Sequence, residues 1–132
     1  MIAFDTNVLV RLLVQDDAQQ FAAASALLAR AVEAGERCYL ADPVLCETEW
    51  VLTSFYEASR ADVLAALSEL AADARYTFND ADALTEAIRA YEAGGADFSD
   101  YLIGSRARRQ GARTTYTFDR KLKNREGFTY LG

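Results

Sequence analysis

Two kinds of apolar pattern alternate along this chain. Short runs rich in aromatic and β-branched residues occur at residues 2–4 (IAF), 37–41 (RCYLA), 75–78 (RYTF), 113–118 (RTTYTF) and 128–131 (FTYL), and these predict strands. Between most of them lie longer stretches whose apolar positions recur at helical spacing, predicting helices at about 6–15, 18–34, 43–56, 60–71, 80–93 and 98–110. Local punctuation supports these limits: Asp42 and Pro43 read as an N-cap and first-turn proline, Gly35 and Gly111 as helix stops, and Asp97 as a helix start. Strands that alternate with helices pair in parallel and need cover on both faces. The predicted fold is therefore α/β, a three-layer α/β/α sandwich around a central, mostly parallel sheet of about five strands.

With 132 residues, no linker, no internal repeat and a single proline, the chain reads as one domain over residues 1–132 with one core. Its 52% hydrophobic and 26% charged content is that of a folded protein, and no apolar run approaches the ~20 residues of a membrane span. The opening MIAFDTNVLV lacks a basic start and carries Asp5 inside its apolar stretch, so it reads as a buried strand and not as a secretion signal. The expected location is the cytoplasm, without a membrane partner. Cys38 and Cys46 form no CxxC pair and read as ordinary half-buried thiols.

The absence of histidine narrows the chemistry further. It removes Ser-His-Asp and Cys-His catalysis, imidazole metal sites and a histidine general base. Hydrolysis on this chain must then be carried by carboxylates and metal. The net charge of −6 conceals an asymmetry, because residues 106–125 hold Arg106, Arg108, Arg109, Arg113, Arg120, Lys121, Lys123 and Arg125 against the single acid Asp119. That segment, with eight bases and one acid, is net +7.

In an open parallel sheet the functional crevice lies beyond the carboxyl ends of the strands, so acids at strand-to-helix junctions come first. Asp5 follows IAF and opens a helix with Thr6 and Asn7; Asp119 follows RTTYTF and precedes RKLK. Either acid alone is accounted for as a helix N-cap. In GADFSDYLIGS, Asp97 and Asp100 have capping-box spacing, and Asp100 aligns with Ile103 and Gly104 on a stripe expected to face inward. The helix DPVLCETEWVLTSFY is apolar nearly all round and is expected to be largely buried. Both Glu47 and Glu49 have apolar neighbours at helical spacing, so periodicity does not choose between them.

Taken in order, IAFDTNVLV, VLCETEWVL, ADFSDYLIG and YTFDRKL resemble the acidic motifs of PIN-domain nucleases, in particular VapC-like toxins, across nearly the whole chain. The resemblance implies a Mg²⁺- or Mn²⁺-dependent endoribonuclease that cleaves RNA phosphodiesters, forms a homodimer and is held by a cognate antitoxin. It assigns the catalytic, metal-binding carboxylates to Asp5, Glu47, Asp100 and Asp119, with Asp97 as a further ligand or only a cap. It departs from the pattern after Asp119, where no Asn or Asp follows until Asn124.

Oxygen-only ligands suit hard Mg²⁺ or Mn²⁺, and a cation removes the repulsion among converging carboxylates. A water oriented by Asp100 or Asp119 would attack phosphorus in line. Thr6, Asn7 and Thr117, or Thr115, are expected to support the ligands by hydrogen bonds, a role that local capping would also explain. Arg106, Arg109, Arg120 and Lys121 are expected to hold RNA phosphates, or an acidic antitoxin segment. Two other readings remain: an RNA-binding or interaction module that keeps the fold with little turnover, and a phosphoacceptor receiver domain using Asp80 and Lys121. A receiver pairs acids at its first site, where this chain has Thr6 and Asn7 after Asp5.

Overall fold

The computed structural model describes residues 1–132 and divides them into two compact units, 1–79 and 80–132. The first contains β1 (Ile2–Ala3), α1 (Thr6–Val14), α2 (Ala18–Glu33), β2 (Cys38–Leu40), α3 (Asp42–Ser54), α4 (Arg60–Ala72) and β3 (Tyr76–Phe78). The second contains α5 (Ala81–Ala93), α6 (Phe98–Arg109), β4 (Thr115–Thr117), a 3₁₀ turn (Arg120–Leu122) and β5 (Phe128–Tyr130). Every predicted strand and helix is present, with ends that differ by a residue or two. No helix is long and apolar enough to cross a membrane.

The helix starts follow from local chemistry. Asp17 accepts the Gln20 N–H at 3.0 Å, Ser59 the Asp62 N–H at 3.1 Å, and Asp80 the Ala83 N–H at 3.0 Å, each satisfying an amide that has no partner within its helix. Gly35 and Gly111 take the left-handed conformation just past α2 and α6, at φ 74° and 96°. At α3 the expectation fails: Ala41 is the N-cap and Asp42 is already helical. The acceptor comes from Asn79, whose Oδ1 takes the Asp42 N–H at 2.9 Å and the Tyr39 hydroxyl at 2.8 Å.

In the first unit β1, β2 and β3 pair in parallel in that order, Ile2 opposite Cys38 and Cys38 opposite Tyr76. Cys38 and Leu40 are fully buried on the central strand, so Cys38 is a core residue and not the half-buried thiol expected. The opening segment also differs from expectation, because β1 is only two residues long and lies at an edge of its sheet. Helix α1 packs against α2 and α3, and Leu9, Leu45, Val63 and Leu67 complete the core. In the second unit α5 packs along α6, and β4 pairs in parallel with β5. Gly104 on α6 makes room for Phe128, whose ring would lie 2.4 Å from an added Cβ. Strand pairing is thus parallel within each unit, three strands in the first and two in the second, each strand contributing three residues or fewer.

Two faces are wetter than their composition predicts. Helix α3 buries Leu45, Thr48, Glu49 and Leu52, yet Trp50 is 66% and Phe55 73% exposed, so it is amphipathic and not buried all round. On α6 the stripe through Asp100 is mixed: Gly104 is buried, whereas Ile103 is 57% exposed. Residue counts reveal how apolar a helix is, and only packing reveals which face is covered.

Candidate functional site

In the first unit Asp5 leaves β1 and caps α1, its Oδ1 accepting the Thr6 N–H at 2.7 Å while the side chain stays exposed. The capping explanation and an available carboxylate therefore hold together. Thr6 is buried, and its hydroxyl donates to Glu47 Oε2 at 2.8 Å, tying the start of α1 to the middle of α3. Asp5, Thr6, Asn7 and Glu47 line one open cleft of about 350 Å³ together with Arg11, Phe55 and Tyr56. Of the two α3 glutamates, Glu47 faces this cleft; Glu49 is 6% exposed and belongs to the buried face.

In the second unit Asp97 is exposed and opens α6, and Asp100 Oδ2 accepts the Asp97 N–H at 3.3 Å, one arm of a capping box. Asp119 caps the 3₁₀ turn through the Lys121 N–H at 2.9 Å, and its own N–H donates to Thr117 Oγ1 at 3.0 Å. The Asp100 carboxyl is held above the usual carboxylate range, chiefly by burial. The hydrogen bond from Asp97 opposes that rise, the charges of Asp97 and Asp119 add to it, and Lys121 offsets part of it. Asp100 thus lies within electrostatic reach of Asp97, Asp119 and Lys121. Thr115 lies on the same strand as Thr117, two residues earlier.

The cationic segment separates into two parts. Arg106 and Arg109 both pair with Asp80, Arg106 at 3.5 Å, and Arg109 also reaches Asp82 at 3.6 Å and Glu86 at 3.9 Å. Arg108 pairs with Glu126 at 3.3 Å. Of the four cations expected to meet phosphate, Arg120 and Lys121 are exposed and form no ion pair, and so are open to an anion from outside. Sequence reasoning overlooked Arg11, Phe55 and Tyr56. Arg11 stands one helical turn after Asn7, an i, i+4 spacing that marks a shared face; no comparable signal marks Phe55 or Tyr56.

Neither unit by itself gathers three acidic side chains at metal-ligand spacing. The donors nevertheless suit a hard divalent cation, being carboxylate, hydroxyl and amide oxygens, and Mg²⁺ is held by one or two carboxylates with several waters retained. The charges of Asp97 and Asp119 add to the burial penalty on Asp100, and such a cation would offset both.

The family model for the PIN domain matches residues 2–127. The chain belongs to the PIN-domain family, an α/β nuclease fold whose members are generally metal-dependent ribonucleases. No curated protein and no solved structure matches it. The receiver reading is displaced by this match, and Asp80, the phosphoacceptor it requires, is occupied as the α5 cap and partner of Arg109.

Proposed function

We propose that this PIN domain is a divalent-metal-dependent endoribonuclease and the toxin half of a VapC-like toxin–antitoxin pair. The observation that carries the reading is the family match over residues 2–127, which takes in Asp5, Glu47, Asp100 and Asp119 in motif order. It runs through both compact units, which supports treating residues 1–132 as one nuclease domain.

In this account Asp5, Glu47, Asp100 and Asp119 hold Mg²⁺ or Mn²⁺, with Asp97 as a further ligand or as the α6 cap alone. A bound divalent ion would supply positive charge to the reacting phosphate and to the leaving oxygen. Asp100 or Asp119 orients the attacking water, and burial holds the Asp100 carboxyl above the usual carboxylate range. Thr6 fixes the Glu47 carboxylate through its hydroxyl, Thr117 fixes the Asp119 backbone, and Asn7 offers an amide to the cleft. Arg120 and Lys121 neutralise RNA phosphates around a protein of net charge −6. Arg106 and Arg109 must first leave Asp80 to do the same. The toxin role rests on the four motifs, and it brings with it a homodimer and an antitoxin whose acidic segment competes for the Arg120–Lys121 surface.

End-labelled single-stranded RNA provides the test. Cleavage should require Mg²⁺ or Mn²⁺ and stop in EDTA. Undiminished cleavage in EDTA contradicts the mechanism, and RNA bound but never cut favours the binding-module reading.

A further inference from the structure

The cleft of the first unit has a second wall that the proposed hydrolysis does not use. Arg11 Nη1 donates to Asp16 Oδ1 at 2.7 Å and to the Tyr56 hydroxyl at 3.1 Å, and its Nε donates to Gln20. The Tyr56 hydroxyl in turn donates to Asp16 Oδ2 at 2.8 Å, which closes the network. Three side chains therefore hold the guanidinium still, while both N–H groups of Nη2 have no protein partner. Arg11 is also the only cation lining a cleft that Asp5 and Glu47 line as well.

The end of α3 sets the aromatic part of this wall. The Phe55 and Tyr56 N–H groups both reach the Val51 carbonyl, at 3.0 and 3.2 Å, and Glu57 turns left-handed at φ 54°. That conformation is uncommon without glycine and turns the chain away just past the helix end; Tyr56 meets Arg11, and Phe55 stays in solvent. The two rings meet edge to face with centroids 4.9 Å apart, so Tyr56 braces the Phe55 ring. Phe55 is thus a large ring left mostly in solvent in a cleft with one anchored cation.

We propose that Phe55 and Arg11 form a nucleotide subsite of this cleft, Phe55 stacking on one unpaired base of single-stranded RNA and Arg11 Nη2 taking an adjoining phosphate. This rests on the ribonuclease reading and adds to it two residues that would hold one nucleotide. A base within a duplex has no free face, whereas a base in a loop or single strand does, so the subsite selects unpaired segments. Arg11 offsets the repulsion that Asp5 and Glu47 impose on an approaching phosphate.

Binding is measured on a short single-stranded RNA carrying 2-aminopurine at one position at a time, in an Asp119→Asn background so that the RNA stays whole. Phe55→Leu keeps apolar bulk without a stacking face and should weaken binding about tenfold, and Phe55→Trp should retain it. One 2-aminopurine position should be quenched by the parent and not by Phe55→Leu. Arg11→Gln should lower the slope of affinity against salt by about one phosphate contact. Fully paired RNA should bind all variants alike. If the parent cleaves RNA and Phe55→Leu matches it in affinity and quenching, the subsite is wrong and the nuclease stands. If the parent neither binds nor cleaves RNA, both fall. A Phe55→Leu protein that binds RNA normally but changes its oligomeric state would assign Phe55 to an interface between copies and overturn the subsite.

Discussion

Thr6→Val isolates the one hydrogen bond that joins the start of α1 to a proposed ligand. Valine matches threonine in volume, so no cavity opens, and what disappears is the donor to Glu47 Oε2 at 2.8 Å. Hydrogen bonds to charged groups contribute about 1.5–3 kcal/mol. The Glu47 side chain is exposed, however, and water replaces the lost donor, so the stability cost should fall to about 1 kcal/mol, or roughly 4 °C in Tm. Activity should suffer more. A carboxylate released from its orienting partner loses about 10–100-fold in metal affinity or rate. Thr6→Ser keeps the hydroxyl and loses a methyl group, a similar stability cost of about 1 kcal/mol, but should stay within a few-fold of the parent in cleavage. The assay is Mg²⁺-dependent cleavage rate alongside thermal unfolding for both variants. Equal losses of activity in Thr6→Val and Thr6→Ser, or none in either, would refute the positioning argument.

Other consequences can be checked independently. Glu47→Gln should cost cleavage at least about tenfold, and folded Glu49→Gln should cleave nearly as the parent does; the reverse order would show that the buried glutamate is the functional one. Gly104→Ala gains up to about 1 kcal/mol of helix propensity but drives a methyl group into the Phe128 ring, a cost of about 1–3 kcal/mol, so urea unfolding should show a net loss of about 1 kcal/mol that Phe128→Leu relieves. Asp80 is held below the ordinary carboxylate range, first by the Ala83 N–H and then by Arg109. Its stabilising contribution is complete above the unfolded value of about 3.9 and is lost as pH falls through the lower folded value, so Asp80→Asn should flatten the acid limb of stability against pH. Asp100 has the opposite sign, because its raised carboxyl penalises the folded state as pH rises through its titration. Asp100→Asn should therefore raise Tm in EDTA near neutral pH, and Mg²⁺ should stabilise the parent more than this variant.

The helices were legible in the sequence because their apolar spacing and much of their punctuation are local: Asp97 lies at the start of the helix it opens, and Gly35 and Gly111 just past the helices they close. The α3 start was misread because its acceptor, Asn79, stands 37 residues from the amide it caps. Charge was legible as a sum and not as a set of pairs. The basic run is visible between residues 106 and 125, whereas the capture of Arg106 and Arg109 by Asp80 depends on α5 lying along α6. Exposure of Trp50, Phe55 and Ile103 was hidden for the same reason, since periodicity describes a helix before anything covers it. The acidic motifs brought Asp5, Glu47, Asp100 and Asp119 forward as candidates. The wall built from Arg11 and Tyr56 has no motif and emerges only from the 45-residue separation that folding closes.

The proposal that matters most is that Asp5 and Asp119 are both needed for metal-dependent hydrolysis. Asp5→Asn changes an acid of residues 1–79 and Asp119→Asn one of residues 80–132, and each keeps an oxygen acceptor to cap its own helix or turn. Cleavage of single-stranded RNA in saturating Mg²⁺ is measured for the parent and both variants, with circular dichroism to establish that each is folded. Loss of cleavage by about a hundredfold or more in both folded variants is the predicted result. A folded variant of either kind that cleaves at the parent's rate would contradict the account.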